Sequence, residues 1–225
     1  MKNILIFGAS IVHGVGGARG GWVDKLKASL HRDMYGEDAA GEICELYELG
    51  IPGATVADVL RHLDAEAAAR LERPGCTPEE SYIVILCGHN DSKAINEPGN
   101  FATSTEDFEH NAGKLLDSAQ KHAKHVIVAG LSPVDEHKVS PKINPFNGSK
   151  SYFTNDRLAQ FEAIWKKVCD PRKITFVPIH AAAPEDWASR YMFTDGVHPD
   201  DKGHEWLRTQ IEPVLRKELG DWLDD

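Results

Sequence analysis

Short apolar runs alternate with helical repeats along the whole chain. The centres of five runs are continuously hydrophobic, which is typical of strands that are buried on both faces of a parallel sheet. A run of this kind does not alternate between apolar and polar positions, as a strand with one solvated face would. The predicted strands are Ile4–Phe7, Ile43–Leu49, Tyr82–Cys87, His125–Ala129 and Ile174–Val177.

The stretches between these runs have the 3.6-residue period of amphipathic helices. Clear helical repeats begin at Trp22, Val56, Phe108, Leu158 and Trp206. Alternation of strands and helices over the full length predicts an α/β fold, a three-layer α/β/α sandwich with right-handed crossovers. Because 225 residues lie at the upper end of a single domain, we expect one domain over residues 1–225.

One long irregular stretch interrupts the alternation, from Leu131 to about Lys150. It contains Pro133, Pro141 and Pro145. A connection this long after a strand is more often functional or mobile than a domain boundary. We expect it to border the functional edge of the sheet as a lid or as a substrate wall.

Charge and cysteine content narrow the range of partners and compartments. The formal net charge of −10 argues against nucleic acid or an anionic membrane as the main partner, because both favour clustered lysine and arginine. The four cysteines suggest neither a metal site nor a disulfide framework, which suits a reducing compartment. The first apolar run is too short for a signal peptide, and no stretch approaches the ~18 apolar residues of a membrane span. We therefore expect a cytoplasmic protein.

Four polar segments contain glycine and lie next to predicted elements. Three of them follow the first three predicted strands, and the fourth precedes the last predicted helix. They are GASI from residue 8, GIPGAT from residue 50, GHND from residue 88 and DGVHP from residue 195. Ligands of open parallel sheets bind where loops leave the carboxyl ends of the strands. The four segments are therefore predicted to converge on one edge of the sheet.

Ser10, His198 and Asp195 have the chemistry of a nucleophile, its base and an orienting carboxylate. A serine hydroxyl is a poor nucleophile until a base removes its proton, and imidazole suits that task near neutrality. The base needs an acceptor on its other ring nitrogen, and Asp195 is three residues from His198 in a turn that contains glycine. Alone, Ser10 would be interpreted as a helix N-cap; together the three residues favour a hydrolase.

The four segments resemble the conserved blocks of the SGNH or GDSL hydrolase superfamily in order and in approximate spacing. The S, G, N and H of that name correspond to Ser10, Gly53, Asn90 and His198, and the D-x-x-H signature begins at Asp195. The resemblance implies a flavodoxin-like, five-stranded parallel sheet. It also implies a serine esterase or related acylhydrolase that needs neither a metal nor an organic cofactor.

A tetrahedral intermediate needs hydrogen-bond donors for its oxyanion. The predicted donors are the backbone N–H groups of Ser10 and Gly53 and the side-chain amide of Asn90; a residue without Cβ, such as Gly53, lets a substrate approach the backbone closely. One position departs from the family pattern, since Ala9 replaces the aspartate of G-D-S. That aspartate is not a member of the triad, so the chemistry is retained.

Several histidines near the four segments are secondary candidates. His13 and His89 flank the predicted pocket and are candidate substrate-binding residues, although solvent exposure is the simpler interpretation. Asp195, His198 and His204 are also a possible metal site, but no further ligand of obvious spacing accompanies them. The favoured interpretation remains a site without metal.

Two other function classes remain open beside the esterase. Gly14, Gly16 and Gly17, with Glu48, could belong to a dinucleotide-binding turn, but G-x-G-x-x-G does not follow the first strand directly. A protein of the same fold that binds a ligand without catalysis is the other class. The predicted substrate is a small or carbohydrate-linked acyl ester. Four loop asparagines hint at the sugar: Asn96, Asn100, Asn144 and Asn147.

Overall fold

A computed structural model describes residues 1–37, 43–144 and 147–220 of the chain. Its central sheet is five-stranded and parallel, in agreement with the sequence prediction. Pro145 of the irregular stretch lies outside the described residues. The strands are β1 (Lys2–Gly8), β2 (Cys44–Gly50), β3 (Ser81–Leu86), β4 (Ala94–Ile95), β5 (His125–Ala129), β6 (Lys142–Ile143), β7 (Lys150–Tyr152) and β8 (Thr175–Val177).

The order of the central strands is β2-β1-β3-β5-β8, and every neighbouring pair is parallel. Counted along the sheet strands alone, this is the 2-1-3-4-5 order of flavodoxin-like folds. The predicted fold class is therefore confirmed. Each predicted strand overlaps an observed one, and no end differs by more than two residues.

The helices that surround the sheet form two outer layers. They are α1 (Ser10–His13), α2 (Trp22–Tyr35), α3 (Val56–Leu71), α4 (His89–Ser92), α5 (Thr105–His122), α6 (Glu136–Val139), α7 (Asn155–Cys169), α8 (Trp187–Arg190) and α9 (Asp201–Leu219). Alternate residues of a strand point to opposite faces of a sheet. Leu5 and Phe7 of β1 accordingly pack with α3, α5 and α7, whereas Ile4 and Ile6 pack with α2 and α9.

The irregular stretch after β5 is more ordered than its sequence suggested. It contains α6 and the short strand β6, and β7 begins at its end. Together with β4, these two strands form an antiparallel sheet in the order β4-β7-β6. Strands of two or three residues have too few positions to establish a periodic pattern. This small sheet stands beside the loops at the carboxyl ends of the central strands.

The four cysteines are all free thiols. Cys44, Cys87 and Cys169 are buried, where a thiol packs as a small apolar group. Burial raises the pKa of Cys44 to about 11, so this thiol is protonated at neutral pH. In the described part of the chain, no helix is both long and apolar enough to span a bilayer.

Candidate active site

Residues from both ends of the chain meet at the carboxyl edge of the sheet. Ser10 is the first residue of α1, immediately beyond β1, and Asn90 lies in α4 beyond β3. His198 precedes α9, whose first turn is capped by the Asp200 side chain. Together with Gly53, these residues line one cavity of about 340 Å³. The structure therefore brings together the segments that the sequence predicted to converge.

Ser10, His198 and Asp195 form a continuous hydrogen-bonded series. His198 Nε2 lies 2.8 Å from Ser10 Oγ, and His198 Nδ1 lies 2.6 Å from Asp195 Oδ2. The other carboxylate oxygen, Oδ1, accepts the backbone N–H groups of Val197 at 3.0 Å and His198 at 3.1 Å. The carboxylate thus fixes the imidazole ring so that Nε2 faces the hydroxyl.

Lys142 is a member of this site that the sequence did not indicate. Its Nζ atom lies 2.9 Å from Asp195 Oδ2, the oxygen that also faces His198. Partial burial on its own would raise the pKa of Asp195. Hydrogen bonds from the side chain and backbone of His198 and from Lys142 outweigh that effect, and the pKa lies well below the ordinary carboxyl value. Asp195 is therefore ionised throughout the neutral range.

Glycines hold the turn after Ser10 against the segment that contains His198. Gly14 ends α1 with φ of +89°, and Gly16 has φ of +97°. A Cβ on Gly16 would lie only 2.1 Å from the carbonyl oxygen of Pro199. These glycines, considered above as part of a dinucleotide-binding turn, therefore have a packing role that needs no phosphate.

His204 links the same turn to α9. Its Nδ1 accepts the backbone N–H of Trp22 at 3.2 Å, and its Nε2 contacts the carbonyl oxygen of Val15 at 3.0 Å. Burial lowers the pKa of this fully buried imidazole. Both ring nitrogens are engaged by backbone, so His204 is not arranged as a metal ligand. Within the described ranges, no group of three His, Cys, Asp or Glu side chains is placed to hold a metal ion.

The three residues with predicted oxyanion donors, Ser10, Gly53 and Asn90, all line the cavity. The N–H of Ser10 belongs to the first turn of α1, where amides lack intrahelical acceptors. Gly53 has φ of +87°, and a Cβ there would meet no atom within 4 Å; its conformation, and not crowding by the protein, requires glycine. Asn90 Nδ2 donates to the carbonyl oxygen of Ala54 at 3.0 Å, which holds the amide beside the Gly53 segment.

The two candidate substrate-binding histidines have different environments. His89 lines the cavity and is only 6% exposed, so the expectation of solvent exposure was wrong for it. Its Nε2 donates to the carbonyl oxygen of Ser132 at 2.9 Å, and burial lowers its pKa to about 4. His13 is exposed, lies 3.5 Å from Glu48 Oε2 and is not among the residues that line the cavity.

The small antiparallel sheet forms one wall of the cavity. Lys142 and Ser151 line it from β6 and β7, with Phe153 just beyond β7. The stretch that was expected to be a lid or a wall therefore includes a wall. The four loop asparagines are not among the lining residues. Three of their side chains form hydrogen bonds with backbone groups: Asn96, Asn100 and Asn147.

A known protein family matches most of the chain. The GDSL-like Lipase/Acylhydrolase family matches residues 6–206. The chain belongs to this family. Its members are hydrolases that act on ester bonds, and the resemblance noted from Ser10, Gly53, Asn90 and His198 is thereby confirmed at the level of the family. No protein of curated function is similar enough in sequence to match the chain.

Several solved structures share the fold over nearly the whole chain. A lipase/acylhydrolase from Enterococcus faecalis is 20% identical, covers 96% of each chain and has a TM-score of 0.71. TesA is 20% identical, with coverage of 97% of this chain and 100% of its own and a TM-score of 0.70. An acetyl xylan esterase from Geobacillus stearothermophilus is 20% identical, with coverage of 97% and 94% and a TM-score of 0.68. At these identities, the similarity shows the fold.

Proposed function

We propose that this ester hydrolase is a serine esterase with Ser10 as nucleophile, His198 as base and Asp195 as the residue that orients the base. The observation that supports this proposal is the unbroken series of hydrogen bonds from Ser10 Oγ to the Asp195 carboxylate. A neutral imidazole whose Nδ1–H is held by a carboxylate presents an unprotonated Nε2 to the hydroxyl. That arrangement is the one in which serine becomes a nucleophile.

Acyl transfer then proceeds in two balanced steps. Ser10 Oγ attacks the ester carbonyl while His198 takes the hydroxyl proton. The backbone N–H groups of Ser10 and Gly53 and the amide of Asn90 stabilise the oxyanion. His198 next protonates the leaving alcohol, and the acyl group remains on Ser10. In the second step, His198 removes a proton from water, and the water oxygen attacks the acyl carbon. The bond between the acyl carbon and Ser10 Oγ then breaks, the acid is released, and His198 returns the proton to Ser10 Oγ.

The proposed substrate is a small acyl ester, and a carbohydrate-linked ester is one candidate. The cavity of about 340 Å³ lies at the small end of ordinary ligand pockets. Among the similar structures are acetyl xylan esterases, which favours short acyl groups. The proposal includes a single domain over residues 1–225 that needs no cofactor, and a cytoplasmic location.

Replacement of Ser10 tests the mechanism. Ser10→Ala should lower kcat for 4-nitrophenyl acetate by at least about 10³-fold, because only transition-state binding by the remaining groups is left. In the unchanged protein, a fluorophosphonate should label Ser10 stoichiometrically. Ser189→Ala removes an exposed hydroxyl whose only hydrogen bond in the described structure is local, and this control should keep both activity and labelling.

Two outcomes would count against the esterase mechanism. Turnover by Ser10→Ala at more than a few per cent of the original rate would remove Ser10 as nucleophile. Absence of both labelling and turnover in the folded protein would instead favour the remaining alternative, a binding protein of the same fold.

A further inference from the structure

The cavity that contains Ser10 is lined by cations and by no carboxylate group. Lys93 and Lys142 are the charged side chains among its lining residues, and no lining residue is Asp or Glu. This composition is unusual for a chain with 35 acidic residues against 25 lysines and arginines. The charged residues that line the cavity are therefore positive, whereas the net charge of the protein is negative.

The charge of Lys142 is balanced inside the site. Its Nζ pairs with Asp195 Oδ2 at 2.9 Å. Without that pair, the ionised Asp195, which lies directly behind His198, would repel a negatively charged substrate. Pairing brings the sum of these two charges to zero. His89, the other histidine of the wall, is buried and neutral at physiological pH, so it adds no charge.

Lys93 is the positive charge that remains. It directly follows α4, three residues beyond Asn90, and its side chain forms no ion pair with any carboxylate of the described residues. The neighbouring Asp91 carboxylate interacts electrostatically with Lys93. It is 1% exposed, is bound to the backbone N–H of Val56 and is not among the lining residues. Burial raises its pKa to about 7, so it is only partly ionised near neutral pH and offsets the charge of Lys93 only in part. The ammonium of Lys93 is thus available to the contents of the cavity.

We propose that the site selects esters that carry a negative charge, with Lys93 as the counter-ion of that charge. The inference rests on the proposed esterase function and specifies its substrate class: an ester with a carboxylate on its acyl or its alcohol part. An ammonium beside an anion in a partly enclosed cavity attracts it more strongly than the same pair in bulk water. The net repulsion from the acidic surface weakens with distance and with salt.

Matched pairs of esters test the charge preference on each side of the ester bond. On the acyl side, 4-nitrophenyl pentanoate is compared with the mono-4-nitrophenyl ester of glutaric acid. On the alcohol side, the methyl ester of 4-acetoxybenzoate is compared with 4-acetoxybenzoate itself. In at least one pair, we expect kcat/KM to be about tenfold or more higher for the anion, since one favourable charge contact is typically worth about that factor. Added NaCl should reduce this ratio.

Variants then assign the preference to Lys93. Lys93→Met should lower the ratio of anionic to neutral kcat/KM to near one, mainly through KM, and Lys93→Arg should retain most of it. Lys121→Met removes an exposed lysine at the end of α5, on the opposite edge of the sheet from Ser10. This control has the same change in net charge and should leave the ratio unaltered.

The results separate this inference from the esterase proposal. If the protein hydrolyses neutral esters as well as anionic ones in both pairs, the charge preference is overturned while the esterase mechanism stands. A preference that survives in Lys93→Met would also overturn it. If the Met variant does not fold, the salt dependence of the unchanged protein and the ratio of Lys93→Arg still decide. Retention of esterase activity in Ser10→Ala would instead contradict the proposed mechanism itself.

Discussion

Two carboxylates at the same edge of the sheet have opposite protonation behaviour. Asp195 lies before α9 and Asp91 lies in α4, and each accepts hydrogen bonds from backbone N–H groups. Nevertheless, the pKa of Asp195 lies far below the ordinary carboxyl value, whereas burial raises the pKa of Asp91 to about 7. Near neutral pH, only Asp195 is fully ionised.

The difference arises from the donors that each carboxylate receives. Burial raises the pKa in both cases, because a dry environment disfavours charge. Asp195 is 25% exposed and receives two backbone N–H groups, the His198 ring and the Lys142 ammonium. Asp91 is 1% exposed, and the donor from another segment is the N–H of Val56, at the first turn of α3. Burial sets the direction at Asp91, because the hydrogen bond from Val56 and the charge of Lys93 oppose it too weakly. At Asp195 the larger set of donors outweighs burial.

Removal of the Asp195 charge should have the largest effect. An amide in Asp195→Asn can donate to the imidazole and favour the wrong tautomer, so that Nε2 no longer accepts the proton of Ser10. The equivalent change in a serine-protease triad costs about 10⁴-fold in kcat, and we expect a loss of about 10²–10⁴-fold. The measurement is kcat for 4-nitrophenyl acetate at pH 8. Asp91→Asn is the matched control, with an expected loss below about tenfold.

Equal losses of kcat in the two variants would contradict the different roles of Asp195 and Asp91. They would mean that the loop at the end of β3 matters for catalysis as much as the carboxylate behind the base. A loss of less than about tenfold in Asp195→Asn would remove Asp195 from its proposed role. In that case, the backbone alone would orient His198.

The central sheet and the three residues of the hydrogen-bonded series could be predicted from local sequence. Buried parallel strands are continuous apolar runs, so they are visible without knowledge of their neighbours. Asp195 and His198 are close in sequence, and their turn can form without distant contacts. Ser10 is predicted as the nucleophile because its segment and the three others resemble the blocks of SGNH hydrolases. The convergence of loops at one sheet edge supports that prediction.

Contacts between distant segments could not be predicted in the same way. Lys142 reaches Asp195 only because β6 pairs with β7 and β7 pairs with β4, and strands this short leave no periodic signal. The buried ring of His89 donates to the Ser132 carbonyl, 43 residues away. The link from His204 to Val15 spans 189 positions. Each of these contacts forms only when distant segments meet at the carboxyl edge of the sheet, so no local sequence pattern predicts it.

The next largest effect should be that of Asp91→Asn on the pH dependence of the free energy of unfolding. The folded pKa of Asp91, about 7, lies above the unfolded value of ~3.9. Between these two pKa values, the Asp91 carboxyl group is protonated in the folded state and ionised in the unfolded state. Its protonation therefore contributes stability that is fully present below the unfolded pKa and is lost as the pH rises through about 7. In Asp91→Asn this loss is absent. From pH 5 to pH 8, the stability of the variant relative to the unchanged protein should rise by about 2–3 kcal/mol.

Urea unfolding at several pH values measures this difference. Burial lowers the pKa of His89 and of His204 in the folded protein, so these residues also make stability depend on pH. They are present in both proteins, and their contributions cancel in the difference. Asp195 does not interfere, since a lowered pKa contributes stability above the unfolded carboxyl value, and this contribution is lost only as the pH falls through the folded pKa. A relative stability that does not change from pH 5 to pH 8 would show that Asp91 is ionised throughout.

The smallest effect should come from replacing Lys142, whose ammonium donates to Asp195 Oδ2. The Asp91 carboxylate has no hydrogen bond of this kind from a lysine among the described residues. In Lys142→Met, the carboxylate of Asp195 faces His198 without a competing cation, so the protonated imidazole is better stabilised. A higher pH is then needed to free the base. The acid limb of the kcat/KM profile should move upward by about 0.5–1 pH unit, and kcat at pH 9 should change by less than about tenfold.

The profile between pH 5 and pH 9 is the measurement, and Lys142→Arg is the control that keeps the positive charge beside Asp195. The arginine variant should retain the original position of the acid limb. A shift to lower pH in Lys142→Met would mean that the lysine acts mainly by holding the β6 segment and the Asp195 loop together, because loss of orientation weakens the carboxylate–imidazole contact. The direction of the shift thus distinguishes an electrostatic role from a purely structural one.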